Sequence, residues 1–336
     1  MKRIVIVLFA LLGATSYAQQ PVPDIPFDSV PNFLKLPADM NFGEVSGVAV
    51  NSKGDVAVYT RSNSAGGPAY GATASQVLLF DKTGKFLREI GKGLYAWSYA
   101  HAIRFDKDDN LWAIDKGSDM IVRFNPEGRV TMVFGRKKEA SDEAEHWTRV
   151  TPPRPPVNGQ FRQPTDVAFD TDGNIYISDG YINSRVAKFD KNGDWIASLG
   201  EPGGGKLGNL NTPHSIANDA KGNIYVADRG NRRIKVYDTE LNLQKTFANI
   251  GAPWSVCMTP GPTQYLFSGD GNGKIYKLDL NGNLLGWAQT GLGHGQAGCL
   301  VHELHCESEN VIYKGDCSTW TVEKITLKGA SRPSAQ

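Results

Sequence analysis

Short apolar runs, separated by polar turns that carry glycine or asparagine, recur along most of the chain. The unit is clearest at Asn211–Tyr237, NTPHSIANDAKGNIYVADRGNRRIKVY. It reads as an apolar strand, a Lys-Gly-Asn turn, a second strand ending at Asp228, a polar turn and a third strand. Gly222 and Asn223 both tolerate the positive φ that such a turn needs. Apolar runs this short, bounded by turn signals, predict strands and not helices.

Equivalent units begin at Gly47, His101, Pro164, Pro253 and Val301. Five of the six repeats show four strands; the last shows three. Repetition of this kind predicts an all-β fold, a six-bladed β-propeller. The strand missing from the last blade is expected from Phe33–Leu36, the first apolar run of the lead-in, which would close the ring and hide its edges. The turn before each second strand, and the later N-x-R-[IV] at Asn183–Val186 and Asn231–Ile234, resemble NHL repeats. Arg185 and Arg233 are accordingly expected to brace neighbouring strands. The chain then divides into a leader (1–18), a lead-in with the ring-closing strand (19–40), the NHL propeller (41–328) and a polar tail (329–336). A long insertion at 136–163, charged and then Pro-rich, is expected to form a flap over one end of the channel.

Composition narrows the function. Among 336 residues, Lys and Arg nearly balance Asp and Glu, for a net charge of +1. That balance excludes nucleic acid and a polybasic membrane anchor as partners. Lys2 and Arg3, the apolar run Ile4–Leu12, and Ser16 and Ala18 form a secretory signal with cleavage near Ala18. The protein is therefore expected to be secreted or periplasmic, and a monomer. Four cysteines, Cys257, Cys299, Cys306 and Cys317, allow two disulfides with three connectivities in an oxidising compartment.

The candidate chemistry comes from aligning the repeats. His101, His214 and His302 each stand fourteen residues before a strand-ending aspartate: Asp115, Asp228 and Asp316. The same position in the other repeats holds Ser46, Thr165 and Trp254. Alternate blades of a six-blade ring lie about a third of a turn apart. Three imidazoles would converge on the axis, which is the ligand set of a catalytic zinc site with an open position. Three of only six histidines share this register. Arg61 and Arg229 follow the second strands of the first and fourth repeats, and Tyr181 lies in the corresponding turn of the third. Two guanidiniums and a phenol beside a divalent ion suit an anionic substrate that bears a hydroxyl next to a carboxylate.

The motifs VSGVAV, YTR, AHAI, QPTDVAFDTDGNIYISDGYINSR, TPHSIANDAKGNIYVADRGNRRI and VHEL resemble those of the peptidyl-α-hydroxyglycine α-amidating lyases, over about Phe42–Leu327. The resemblance implies zinc on His101, His214 and His302, and an active site containing Arg61, Tyr181 and Arg229. It implies a structural calcium bound by the carbonyls of Val48 and Ile103 and the carboxylate after the third histidine. That carboxylate is Glu303 here, where the family has Asp. Ile182 replaces a family cysteine, so the family's disulfide pattern does not carry over. Animal members are often joined to a copper hydroxylase that makes their substrate, and none is expected within these 336 residues.

The expected reaction is cleavage of the N–Cα bond of a peptide or small molecule ending in α-hydroxyglycine, giving an amide and glyoxylate. Tyr181 would serve as base, Arg61 would hold the carboxylate, and Arg229 would orient Tyr181 or the substrate. Two alternatives stand beside it. One is a non-enzymatic exported propeller that binds a peptide or glycan. The other is a related lyase acting on another carbinolamide, such as ureidoglycolate.

Overall fold

A computed structural model describes residues 22–61, 75–137, 151–202, 209–291 and 298–328. These residues form six four-stranded antiparallel sheets. The first strands of the blades are Glu44–Val50, Ala100–Phe105, Asp166–Phe169, Pro213–Asn218, Pro253–Met258 and Glu303–Cys306. Each of these touches the first strand of the blades before and after it, and the last touches the first, so they form the inner wall of a closed ring. This is the expected six-bladed β-propeller.

Strand alternation explains why the second strands are buried throughout. In the second blade, Leu111 and Ala113 face the cleft shared with the first blade, while Trp112 and Ile114 face the cleft shared with the third. Successive side chains point to opposite faces, so a strand between two neighbours must be apolar at nearly every position. Six apolar clusters result, one per cleft between adjacent blades.

The turns are built as the pattern implies. Asp219 Oδ1 accepts from the backbone N–H of Lys221 and Asn223, both at 2.9 Å. Its Oδ2 accepts from Asn223 Nδ2 and from the Tyr225 hydroxyl. Gly222 sits between at φ +85°. The N-x-R segments brace strands as expected: Arg185 Nε lies 3.0 Å from Asp179 Oδ2, and Arg233 Nε 2.7 Å from Asp228 Oδ2.

The ring-closing strand is not Phe33–Leu36. It is Phe27–Pro31, paired with Thr321–Leu327 from Phe27 opposite Leu327 to Pro31 opposite Glu323. An outermost strand is exposed along most of its length and has no need of an apolar run. The apolar residues of Phe33–Leu36 serve packing instead: Leu34 is buried in the cleft between the sixth and first blades, and the Phe33 ring lies 5.7 Å from that of Tyr313.

The disulfides are Cys257–Cys306 and Cys299–Cys317. Of the insertion at 136–163, residues 138–150 fall outside the described residues, as do the leader and the polar tail. The described end of the insertion packs against the ring: Phe161 is buried between the second and third blades. No helix among the described residues is long and apolar enough to cross a membrane.

Candidate active site

Backbone irregularity aims the site. The pairing register slips at the head of the first strand in four blades, around Ser46, His101, His214 and Trp254. Such bulges turn a side chain out of the alternation and release a backbone carbonyl from the ladder. Both consequences are used. His101 Nδ1 lies 2.6 Å from the Thr165 carbonyl, His214 Nδ1 2.6 Å from that of Trp254, and His302 Nδ1 2.7 Å from that of Ser46. Each histidine of one blade is thus anchored on the head residue of the next.

A carbonyl can only accept, so Nδ1 carries the proton in all three rings and Nε2 presents its lone pair. The three rings meet with centroids 4.6–5.2 Å apart, and their ligand atoms lie within 4.8 Å of one another. Burial holds all three pKa values well below the ordinary 6.5, and neighbouring cations add to the effect. Neutral, pre-oriented imidazoles with one free nitrogen each are what a zinc ion requires, and the carbonyl partners fix their tautomer. The residues present fit zinc. Cys299 and Cys317 also lie near His302, but their disulfide removes them as thiolate ligands.

Tyr181 closes the constellation. Its hydroxyl is 3.0 Å from His214 Nε2 and 3.3 Å from His101 Nε2. Gly180 precedes it, where the first and fourth blades carry Arg61 and Arg229. A Cβ at Gly180 would collide with the Pro213 carbonyl and Thr165. Only glycine lets this turn lie against the fourth blade. Burial alone would raise the Tyr181 pKa, but Lys116, Arg229 and Arg61 outweigh it and lower the phenol below its ordinary value.

Arg61 stacks on Tyr99 at 3.9 Å, donates from Nε to the Ala100 carbonyl at 2.8 Å, and pairs with Glu44 at 2.7 Å. The Arg229 guanidinium lies 4.4 Å over Trp254 and 5.3 Å over Tyr181. Lys116, which the sequence reading did not single out, lies 4.1 Å over Tyr181 and 4.6 Å over Tyr99. Burial lowers its pKa. The signal for it was present, because Lys116 follows Asp115 as Arg229 follows Asp228. Glu44, Tyr99 and Trp320 were also missed; they reach the site from other parts of the ring. Glu44, Arg61, Tyr99, Lys116, Trp254 and Trp320 line, with Tyr181 and His302, a cavity of about 510 Å³ whose wall includes the Cys299–Cys317 disulfide.

The expected calcium site is built differently. Val48 and Ile103 are fully buried on the first strands of the first two blades. Glu303 Oε1, however, lies 2.6 Å from Arg104 Nη2 and accepts from Ser255 Oγ at 3.0 Å and from the Leu304 N–H. A divalent ion about 4 Å from that guanidinium would meet roughly 8 kcal/mol of repulsion at an effective dielectric of about 20. The residues present do not fit a calcium ion.

Comparison with known proteins agrees with the fold. The NHL repeat family model matches residues 161–189 and 210–237. The chain is 27% identical over 85% of its length to the peptidyl-glycine alpha-amidating monooxygenase of Mus musculus, of which it covers 30%. It therefore spans about a third of that protein. It is 26% identical over 60% of its length to a probable peptidyl-alpha-hydroxyglycine alpha-amidating lyase of Caenorhabditis elegans, covering 57% of that protein. In structure it resembles virginiamycin B lyase of Staphylococcus aureus, with a TM-score of 0.60, 14% identity, and coverage of 90% of this chain and 100% of that one. At that identity the likeness concerns the fold alone. The chain is thus a six-bladed β-propeller with two stretches that match the NHL repeat model, and it is similar to proteins named peptidyl-α-hydroxyglycine α-amidating lyases.

Proposed function

We propose that the chain is a zinc-dependent carbon–nitrogen lyase that cleaves the N–Cα bond of a peptidyl- or N-acyl-α-hydroxyglycine, releasing an amide and glyoxylate. The observation that carries this reading is the meeting of three neutral imidazoles and one tyrosine hydroxyl inside a cationic cavity. The names of the relatives support the substrate class.

His101, His214 and His302 would hold the zinc, which would supply a Lewis acid that makes the substrate hydroxyl easier to deprotonate. The remaining steps belong to side chains. Tyr181, acidified by Lys116, Arg229 and Arg61, takes the proton of the substrate hydroxyl. The C–O bond becomes C=O, the N–Cα bond breaks, and its electron pair stays on nitrogen. Tyr181 returns the same proton to that nitrogen, so the reaction balances without a co-reactant. Arg61, held by Glu44 and the Ala100 carbonyl, binds the carboxylate and stabilises the charge that develops beside it. Arg229, braced on Trp254, orients Tyr181.

Two disulfides and the absence of a free cysteine support a secreted or periplasmic location. The test is glyoxylate release from an α-hydroxyglycine peptide by wild type and Tyr181→Phe. The variant should lose at least about 100-fold in turnover with metal content unchanged. Equal turnover would remove Tyr181 from the reaction, and no release by wild type would remove the substrate class.

A further inference from the structure

Beneath the imidazoles, five of the six blades meet around one side chain. Arg104, on the first strand of the second blade, donates from Nε to Asp166 Oδ1 at 2.9 Å and from Nη2 to Asp166 Oδ2 at 2.6 Å. Nη1 donates to the Leu304 carbonyl at 2.9 Å, and Nη2 reaches Glu303 at 2.6 Å and Ser215 Oγ at 3.3 Å. Asp166 in turn accepts from Ser215 Oγ and the Ile216 N–H. Ser255 joins Glu303 to the backbone of Leu304. Its own partners come from the third, fourth and sixth blades, the fifth joins through Ser255 on Glu303, and the two carboxylates are buried.

We infer that Arg104 is the resident cation of the channel: its guanidinium takes the place of a structural divalent ion, tying the inner strands together from within the chain. The planar fork suits this role. It satisfies Asp166 bidentately and still reaches Glu303, a carbonyl and the Ser215 hydroxyl, five acceptors for one guanidinium. The longer carboxylate at 303 belongs to the same arrangement, since it reaches a guanidinium rooted on the second blade, two places round the ring. The ring therefore needs no calcium. This inference is independent of the lyase reading and could hold if that reading failed.

The experiment compares thermal unfolding of the full-length wild type in EGTA and in calcium chloride, with calcium measured on the purified protein. The expected result is no bound calcium and no gain in Tm when calcium is restored to EGTA-treated protein. Stoichiometric calcium, or a Tm that drops in EGTA and is restored by calcium but not by zinc, would overturn the inference. Arg104→Gln leaves Asp166 and Glu303 facing a vacated centre. Its Tm should fall by roughly 10 °C and recover in calcium, which wild type ignores. A Tm equal to wild type in Arg104→Gln would also overturn the inference. Should that variant not fold, the wild-type comparison decides the matter alone.

Discussion

At the scale of single residues, the site depends on charges held in fixed places. Arg61 is tethered by Glu44. Glu44→Gln should loosen it and raise KM several-fold for a substrate with a free carboxylate, with little change for an amidated analogue. An equal change for both would show that Arg61 does not hold the carboxylate. Lys116→Met removes the strongest of the cations opposing the burial of Tyr181 and should lower kcat/KM by at least about 10-fold, with the metal retained. Much of this scale was legible in the sequence. His101, His214 and His302 stood out because register alone placed them together, and Tyr181 and the two arginines because they flank equivalent turns. What escaped was carried by backbone or by distant segments. The carbonyls of Ser46, Thr165 and Trp254 carry no mark in a one-letter sequence. Arg104, in the run AHAIRF, reads as an ordinary polar position on a half-exposed strand, and only the closed ring brings the third, fourth and sixth blades around it.

At the scale of elements, the strand heads and strand ends have divided duties. The bulged heads aim His101 and His214, and the strand-ending aspartates organise the turns behind them. Asp179 accepts from Asn183, Arg185 and the Arg162 backbone. Arg185 is fully buried, so Arg185→Met should leave Asp179 short of a partner and cost about 3–5 kcal/mol in urea unfolding. A cost below 1 kcal/mol, on the order of a surface pair, would deny it that role. Turn chemistry and repeat count were plain in the sequence because Asp-x-x-Gly-Asn is a local code. The closing strand was not. Its partner lies at the other end of the chain, and exposed edge strands such as Phe27–Pro31 carry no apolar signature.

At the scale of the whole molecule, stability comes from six similar clefts and from an axis where ionisable groups have been taken out of water. His305 illustrates the pH consequence. Burial, with Arg104 beside it, pushes its pKa down to about 3. In the unfolded chain a histidine titrates near 6.5. Between those values the unfolded state binds a proton that the folded state refuses, so stability is full above about pH 6.5 and falls as pH drops. His305→Asn should flatten that loss by about 2 kcal/mol at about pH 5, read from urea midpoints at neutral and acid pH. An unchanged slope would mean that His305 takes up its proton in the folded state too.

The central claim is that alternate blades bring three imidazoles to one ion on the axis of the ring. X-ray absorption at the zinc edge, on protein loaded with one equivalent and on its His214→Ala variant, tests it most directly. The account predicts first-shell scattering from three imidazole nitrogens in wild type and two in the variant, with tightly held zinc only in the former. Zinc bound through sulfur or carboxylate, or unaltered by His214→Ala, would contradict it.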